Sequence, residues 1–291
     1  MPAYAIVEAP SILGLRPTGV EDLPEALLEA GLAERLSARH AARVDPPPYD
    51  PRRDPDTGML NPRAIRDYSI KLADAMGSVL DQGEFPVVLG GDCSILLGNL
   101  LALRRRGRYG LLFVDGHADF YQPEANINGE AASSELALAT GRGPEVMTRL
   151  DGFRPLLRDQ DVVAFAHRDA EEAASYHSQR LPGALRSIDL MELRRLGAAA
   201  AAREAVAHLD REELAGFWIH LDADVLDDAI MPAVDYRMPD GISWQELEAV
   251  LRLAVASGRA VGLEVTIYNP RLDPDGEAGR GLVRGIGNAL K

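Results

Sequence analysis

The sequence predicts an α/β fold, a doubly wound and mostly parallel sheet with helices on both faces. Short apolar runs rich in β-branched residues recur at 4–8, 85–89, 110–114, 161–166, 184–188, 216–221 and 260–266. Between them lie stretches with apolar side chains at the 3.6-residue spacing of a helix. Strand and helix alternating in this order call for parallel crossovers, which cover both faces of one sheet.

Each element has a local reason. The run at 4–8 opens the chain, and the Pro-dense tract at 45–62 reads as a long surface loop. It is not a linker, because what precedes it is too small to fold alone, so residues 1–291 read as one domain. Asn61-Pro62 offers a cap with proline in the first turn of the next helix. The run at 85–89 breaks at two glycines and passes through Asp92 and Cys93 into an apolar helix. The stretch "LGAAAAAREAVAHLD" has high helix propensity, and "SWQE" at 243–246 fits a capping box. His40 and His208 fall on helical patterns and read as surface residues.

Bulk properties exclude several classes. No apolar run approaches bilayer length, and the N-terminus lacks the basic and apolar regions of a secretory leader. A net charge of −14 opposes a nucleic-acid partner but favours a cation. The lone cysteine cannot form an internal disulfide, which suits a reducing, cytoplasmic setting.

In open parallel sheets ligands collect beyond the carboxyl ends of strands, so the polar residues there carry weight. "VDGHADF" sets Asp115, His117 and Asp119 at alternate positions, and "LDADVLD" does the same for Asp222 and Asp224. "GGDCS" brings Asp92 and Cys93 to a strand end, and "GLEVTIYNP" brings Glu264. His220 shares the parity of Asp222 but lies deeper and reads as a core histidine, whereas His167 borders the region. Gathered carboxylates would repel one another. Two divalent cations about 3.5 to 4 Å apart, with His117 as a neutral donor, remove that conflict, and an oxygen-rich set suits Mn²⁺.

These motifs resemble those of the ureohydrolase superfamily of arginases, agmatinases and formimidoylglutamases. "GGDCS" is similar to its G-G-D-H-S, "VDGHADF" to D-A-H-x-D, "LDADVLD" to D-x-D-x-x-D, and "GLEVTIYNP" to E-V-N-P with an insertion; the segment around Gly19 also matches. The resemblance implies a three-layer α/β sandwich, and hydrolysis of a guanidino or amidino C–N bond by a metal-bridging hydroxide. It implies two Mn²⁺ bridged by Asp115 and Asp222, with Asp119 completing one site and His117 and Asp224 the other. Asp119 and Glu264 would be catalytic, Glu264 pairing with a small cationic substrate that Asn128 and Asp169 also contact. The resemblance further implies a homo-oligomer.

Three departures qualify it. Cys93 stands in place of a metal-binding histidine. Either a thiolate there shifts preference toward Zn²⁺, Co²⁺, Ni²⁺ or Fe²⁺, or the thiol stays protonated beside a weak or absent first metal, or it merely packs. Asn128 stands where a histidine assists proton transfer, and an amide cannot titrate. Phe120 and Tyr121 replace a polar pair that reads an α-amino acid, which argues against free arginine. A different metal amidohydrolase and a non-catalytic binding protein are the competing readings.

Overall fold

The computed structural model describes residues 2–291. Strands β1 (Tyr4–Ala9), β2 (Arg39–Arg43), β3 (Phe85–Gly90), β4 (Gly110–Val114), β5 (Val162–Phe165), β6 (Arg186–Ile188), β7 (Phe217–Asp222) and β8 (Ala260–Thr266) form one sheet. Its order is β2-β1-β3-β8-β7-β4-β5-β6, and every named pair is parallel. The seven runs expected to be strands are strands.

Helices cover both faces. Against one pack α1 (Leu23–Glu29), α2 (Leu32–Leu36), α8 (Leu190–Leu196), α9 (Ala198–Leu209), α10 (Trp244–Ala256) and α11 (Glu277–Ala289), around Ile6, Leu112, Ile219 and Leu263. Against the other pack α3 (Pro62–Asp81), α4 (Leu96–Arg104), α5 (Glu135–Ala139) and α6 (Glu145–Thr148), around Val7, Val88, Phe113 and Trp218. A short helix, α7 (Ala170–Ser175), follows β5 with no buried residue of its own. Alternate side chains of each strand feed opposite cores, so strands apolar at nearly every position are what the three layers require.

The local signals were realised unevenly. Ser243 accepts from Glu246 N–H while Glu246 reaches back to Ser243 N–H, completing the capping box of α10. Helix α3 starts at Pro62, but Asn61 makes no side-chain cap; its side chain accepts from Asp50 N–H at 2.8 Å and donates to Leu13 O at 3.0 Å, pinning the loop instead. His208 lies on α9 as expected. His40 does not lie on a helix: "RHAAR" forms β2, an edge strand held by pairing to β1 and by His40 and Arg43 contacting Glu8. Its polar, alanine-containing sequence has no β signature, and the pairing is imposed by the neighbouring strand.

Gly91 is sterically obligatory. A Cβ on Gly91 would lie 1.8 Å from the carbonyl oxygen of Ser11, because Asp92 N–H bonds that oxygen at 3.0 Å and draws the two backbones together. Gly91→Ala is expected to destabilise the chain by about 3 kcal/mol, the upper part of the range for overpacking. Denaturant unfolding reads this directly, and an unchanged midpoint would contradict the close approach.

Candidate metal centre

The middle of the sheet builds the site by register. Glu264 of β8 lies opposite Val88 of β3 and His220 of β7, and His220 lies opposite Phe113 of β4. Two residues further along the same face come Thr266 and Asp222, again opposite each other. Asp115 follows the end of β4, and Cys93 begins the turn between β3 and α4.

The carboxylates converge. Asp222 accepts from the Cys93 thiol at 2.9 Å and from Asp224 N–H at 2.7 Å. Asp224 meets His117 Nδ1 at 2.8 Å and accepts from Gly116 N–H at 3.1 Å. Asp115 accepts from His117 N–H at 2.7 Å and has its other oxygen 3.5 Å from His220 Nε2. Asp119, at φ 45°, faces Glu135 at the start of α5. All are buried except His117, which is partly open.

Electrostatics follow from this crowding. Burial, then the charges of neighbouring acids, pushes Asp119, Glu135 and Asp222 well above the carboxylate range. Burial, then Asp222, pushes the Cys93 thiol up as well. Burial works against a charged His117, yet Asp224 and then Asp115 lift it to about 10. The protein alone therefore leaves several buried carboxylates undercompensated, the condition a divalent cation corrects.

A second observation tests the fit. Asp115 Oδ2, both carboxylate oxygens of Glu135 and His220 Nε2 are buried without a hydrogen-bond partner. Donor atoms of Cys93, Asp115, Glu135 and His220 lie within 4.8 Å of one another, as do those of Asp115, His117 and Asp224. Buried polar atoms that converge without hydrogen-bond partners are the mark of a ligand shell for a cation, so the residues fit divalent cations. Arg168 locks the rear of the site, donating to Asp224 O, Met238 O and Pro239 O at 2.9 Å.

The centre opens into a small cavity of about 140 Å³. Its floor is His117, Asp119, Asp222 and Asp224; its walls include Leu15, Tyr121, Asn128, Glu172 and Ile267. Among the described residues, three of the five exposed large hydrophobic side chains, Ile127, Tyr176 and Tyr236, stand at its mouth. Tyr236 donates to Glu130 at 2.7 Å and accepts from Asn128 at 3.2 Å, tying two rim loops together.

Several expectations need correction. Glu264 does not face the cavity: it is 0% exposed, meets His220 Nδ1 at 2.6 Å and accepts from Asn99 of α4. It lies inside β8, not at its end. The wall position belongs instead to Ile267, an apolar residue three positions before Pro270, with four residues between Glu264 and the "NP". Ile267 has φ 68°, a strained conformation for a β-branched residue. Asp169, implied as a substrate contact, does not line the cavity; it is 3% exposed, among the groups that raise the pKa of His117 and 3.7 Å from His167 Nδ1. His167 itself is buried and meets Ser187 at 2.8 Å. Phe120 is buried in the core, leaving Tyr121 on the wall.

Glu135 and Asn99 were missed, whereas His220 is the buried core histidine that its deeper position indicated. Both carried a signal: Glu135 is the one polar residue of the helical stretch "ELALA", and Asn99 interrupts the apolar run that opens "LLGNLLALR".

Fold and site together define a parallel α/β protein with a carboxylate-rich candidate metal centre at the strand ends. The chain belongs to the arginase family, whose model matches residues 3–286. It is 28% identical over 280 residues to an arginase of Bacillus caldovelox, covering 94% of this chain and 93% of that one. It is 27% identical over 290 residues to an arginase of Bacillus subtilis strain 168, covering 98% and 97%. The native structure of the Bacillus caldovelox arginase superposes with a TM-score of 0.89 at 25% identity, over 100% of this chain and 98% of that one.

Proposed function

We propose that this chain is a metal-dependent hydrolase that cleaves a C–N bond of a small guanidino or amidino compound whose non-reacting part is apolar or aromatic. The observation that carries this reading is the joining of floor and wall: a carboxylate centre short of positive charge opens into a cavity rimmed by Ile127, Tyr176 and Tyr236. Membership of the arginase family supports the reaction class.

Asp115, Asp119, His117, Asp222 and Asp224 would hold two cations, Mn²⁺ or a softer ion admitted by Cys93. Such ions supply Lewis acidity and generate the nucleophile from water near neutral pH. The protein's own residues position and exclude. Tyr236, kept neutral by burial and then by Glu130, and Asn128 present fixed polar groups at the mouth. Tyr121 and Ile267 give the wall its apolar surface. Asn128 orients but cannot relay a proton, so proton delivery falls to water entering past the rim. One self-contained domain, a cytosolic setting and a homo-oligomer belong to the same proposal.

A second reading, hydrolysis of an uncharged amide at the same centre, is favoured by Ile267. With Glu264 turned inward, the wall offers no carboxylate at that point to hold a guanidinium. A panel of guanidino, amidino and amide compounds with aromatic and amino acid tails, assayed with Mn²⁺, Co²⁺, Ni²⁺ and Zn²⁺, separates the readings. Urea or ammonia release from an aromatic-tailed guanidino or amidino compound is the expected result; turnover of amides alone selects the second reading, and no turnover with ions bound contradicts both. Ile267→Glu restores a wall carboxylate and is expected to raise kcat/KM for guanidino compounds by about tenfold, the scale of one charge-assisted hydrogen bond. No gain would place the cationic group elsewhere.

A further inference from the structure

We propose that His220 is the imidazole ligand of the first metal, supported from behind by Glu264, with Glu135 and Cys93 completing a mixed nitrogen, sulfur and oxygen donor set around Asp115. This rests on the metal-dependent reading above and specifies how this chain builds its centre without a histidine at position 93.

Three observations fix the His220 ring. It stacks on Phe113 with centroids 4.6 Å apart and planes 8° from parallel. Its Nδ1 meets Glu264 at 2.6 Å, and Asn99 donates to the other Glu264 oxygen. The ring is 0% exposed, so no solvent competes for either nitrogen. An imidazole that gives its Nδ1–H to a carboxylate presents a lone pair at Nε2, the arrangement in which histidines bind metals.

What Nε2 faces completes the case. It makes no hydrogen bond, and at 3.5 Å from Asp115 Oδ2 it faces an oxygen that also makes none. Across the same space, neither oxygen of the fully buried Glu135 is hydrogen-bonded. An ion pair between His220 and Asp115 alone would leave Glu135 unsatisfied, whereas a cation between them satisfies all three. Cys93 Sγ lies in the same 4.8 Å group and gives up its proton when a cation binds. Nitrogen and thiolate donors favour Zn²⁺, Co²⁺ or Fe²⁺ over Mn²⁺.

The test is metal titration of the full-length chain, stripped by chelator, with Co²⁺, Zn²⁺ and Mn²⁺. Wild type is expected to bind two ions per chain, with a thiolate-to-cobalt charge-transfer band in the Co²⁺ form. His220→Gln is expected to bind one ion and lose that band. Glu264→Gln is expected to weaken the same site by about 10- to 100-fold, as for other groups that orient a ligand from behind. Should His220→Gln not fold, ¹⁵N-histidine NMR of the wild-type Co²⁺ form decides: of the six histidines, His117 and His220 should both show hyperfine shifts. Two ions in His220→Gln at unchanged affinity, or hyperfine shifts at His117 alone, overturn the proposal while leaving the metal-dependent reading standing. Wild type that binds none of the three ions overturns both.

Discussion

Asp222→Asn should reduce hydrolysis on the order of 10²- to 10³-fold, the scale on which preorganised electrostatic groups act at reacting centres. The metal-free variant should meanwhile be more stable than wild type. Both effects share one cause. Asp222 is 2% exposed and pressed by Asp224 and Asp115, and burial alone already disfavours its charge. Asparagine keeps an oxygen to accept from Asp224 N–H and removes the charge that the metal-free site cannot compensate. On the proposed reading, the same charge would draw cations in. A cation at 100 times its dissociation constant stabilises the wild type by about 2.7 kcal/mol, and the variant should forfeit most of that increment. Thermal scans with chelator and with added metal therefore move in opposite directions. Equal loss of stability in both would show that Asp222 is only structural.

Glu264→Ala should cost about 3–5 kcal/mol of stability, the usual result of removing one partner of a buried pair. The substitution strips His220 Nδ1 and Asn99 Nδ2 of their acceptor at a place no water reaches. For a chain of this size the midpoint should fall by roughly 5–10 °C. A pocket-wall carboxylate would behave differently, raising KM with the midpoint unchanged. The variant thus separates the inward Glu264 of the structure from the outward one implied by motif resemblance.

That contrast shows where sequence reasoning reaches its limit. Parallel crossovers leave a plain trace, since strands buried on both faces read as apolar runs, and seven of the eight were legible for that reason. Strand β2 was not, because its place is set by pairing rather than by its own residues. The acids after β4 and β7 were legible because strand ends point to the crevice and alternation gives their side. Glu264 stands in an apolar run of the same kind, but only the end of β8 at Thr266 reveals that it sits one row below the rim, beside His220. Glu135 was hidden differently: it opens a helix and follows no strand, and only packing of α5 beside the strand ends brings it to Asp115.

On the proposed reading, buried carboxylates are gathered here because divalent cations neutralise them. Anomalous diffraction from crystals soaked in Co²⁺ or Zn²⁺ tests it most directly. Peaks are expected at bonding distance, about 2.0–2.3 Å, from the donor atoms of Asp115, Asp222 and His220. Soaked crystals with no anomalous peak among these side chains would contradict it.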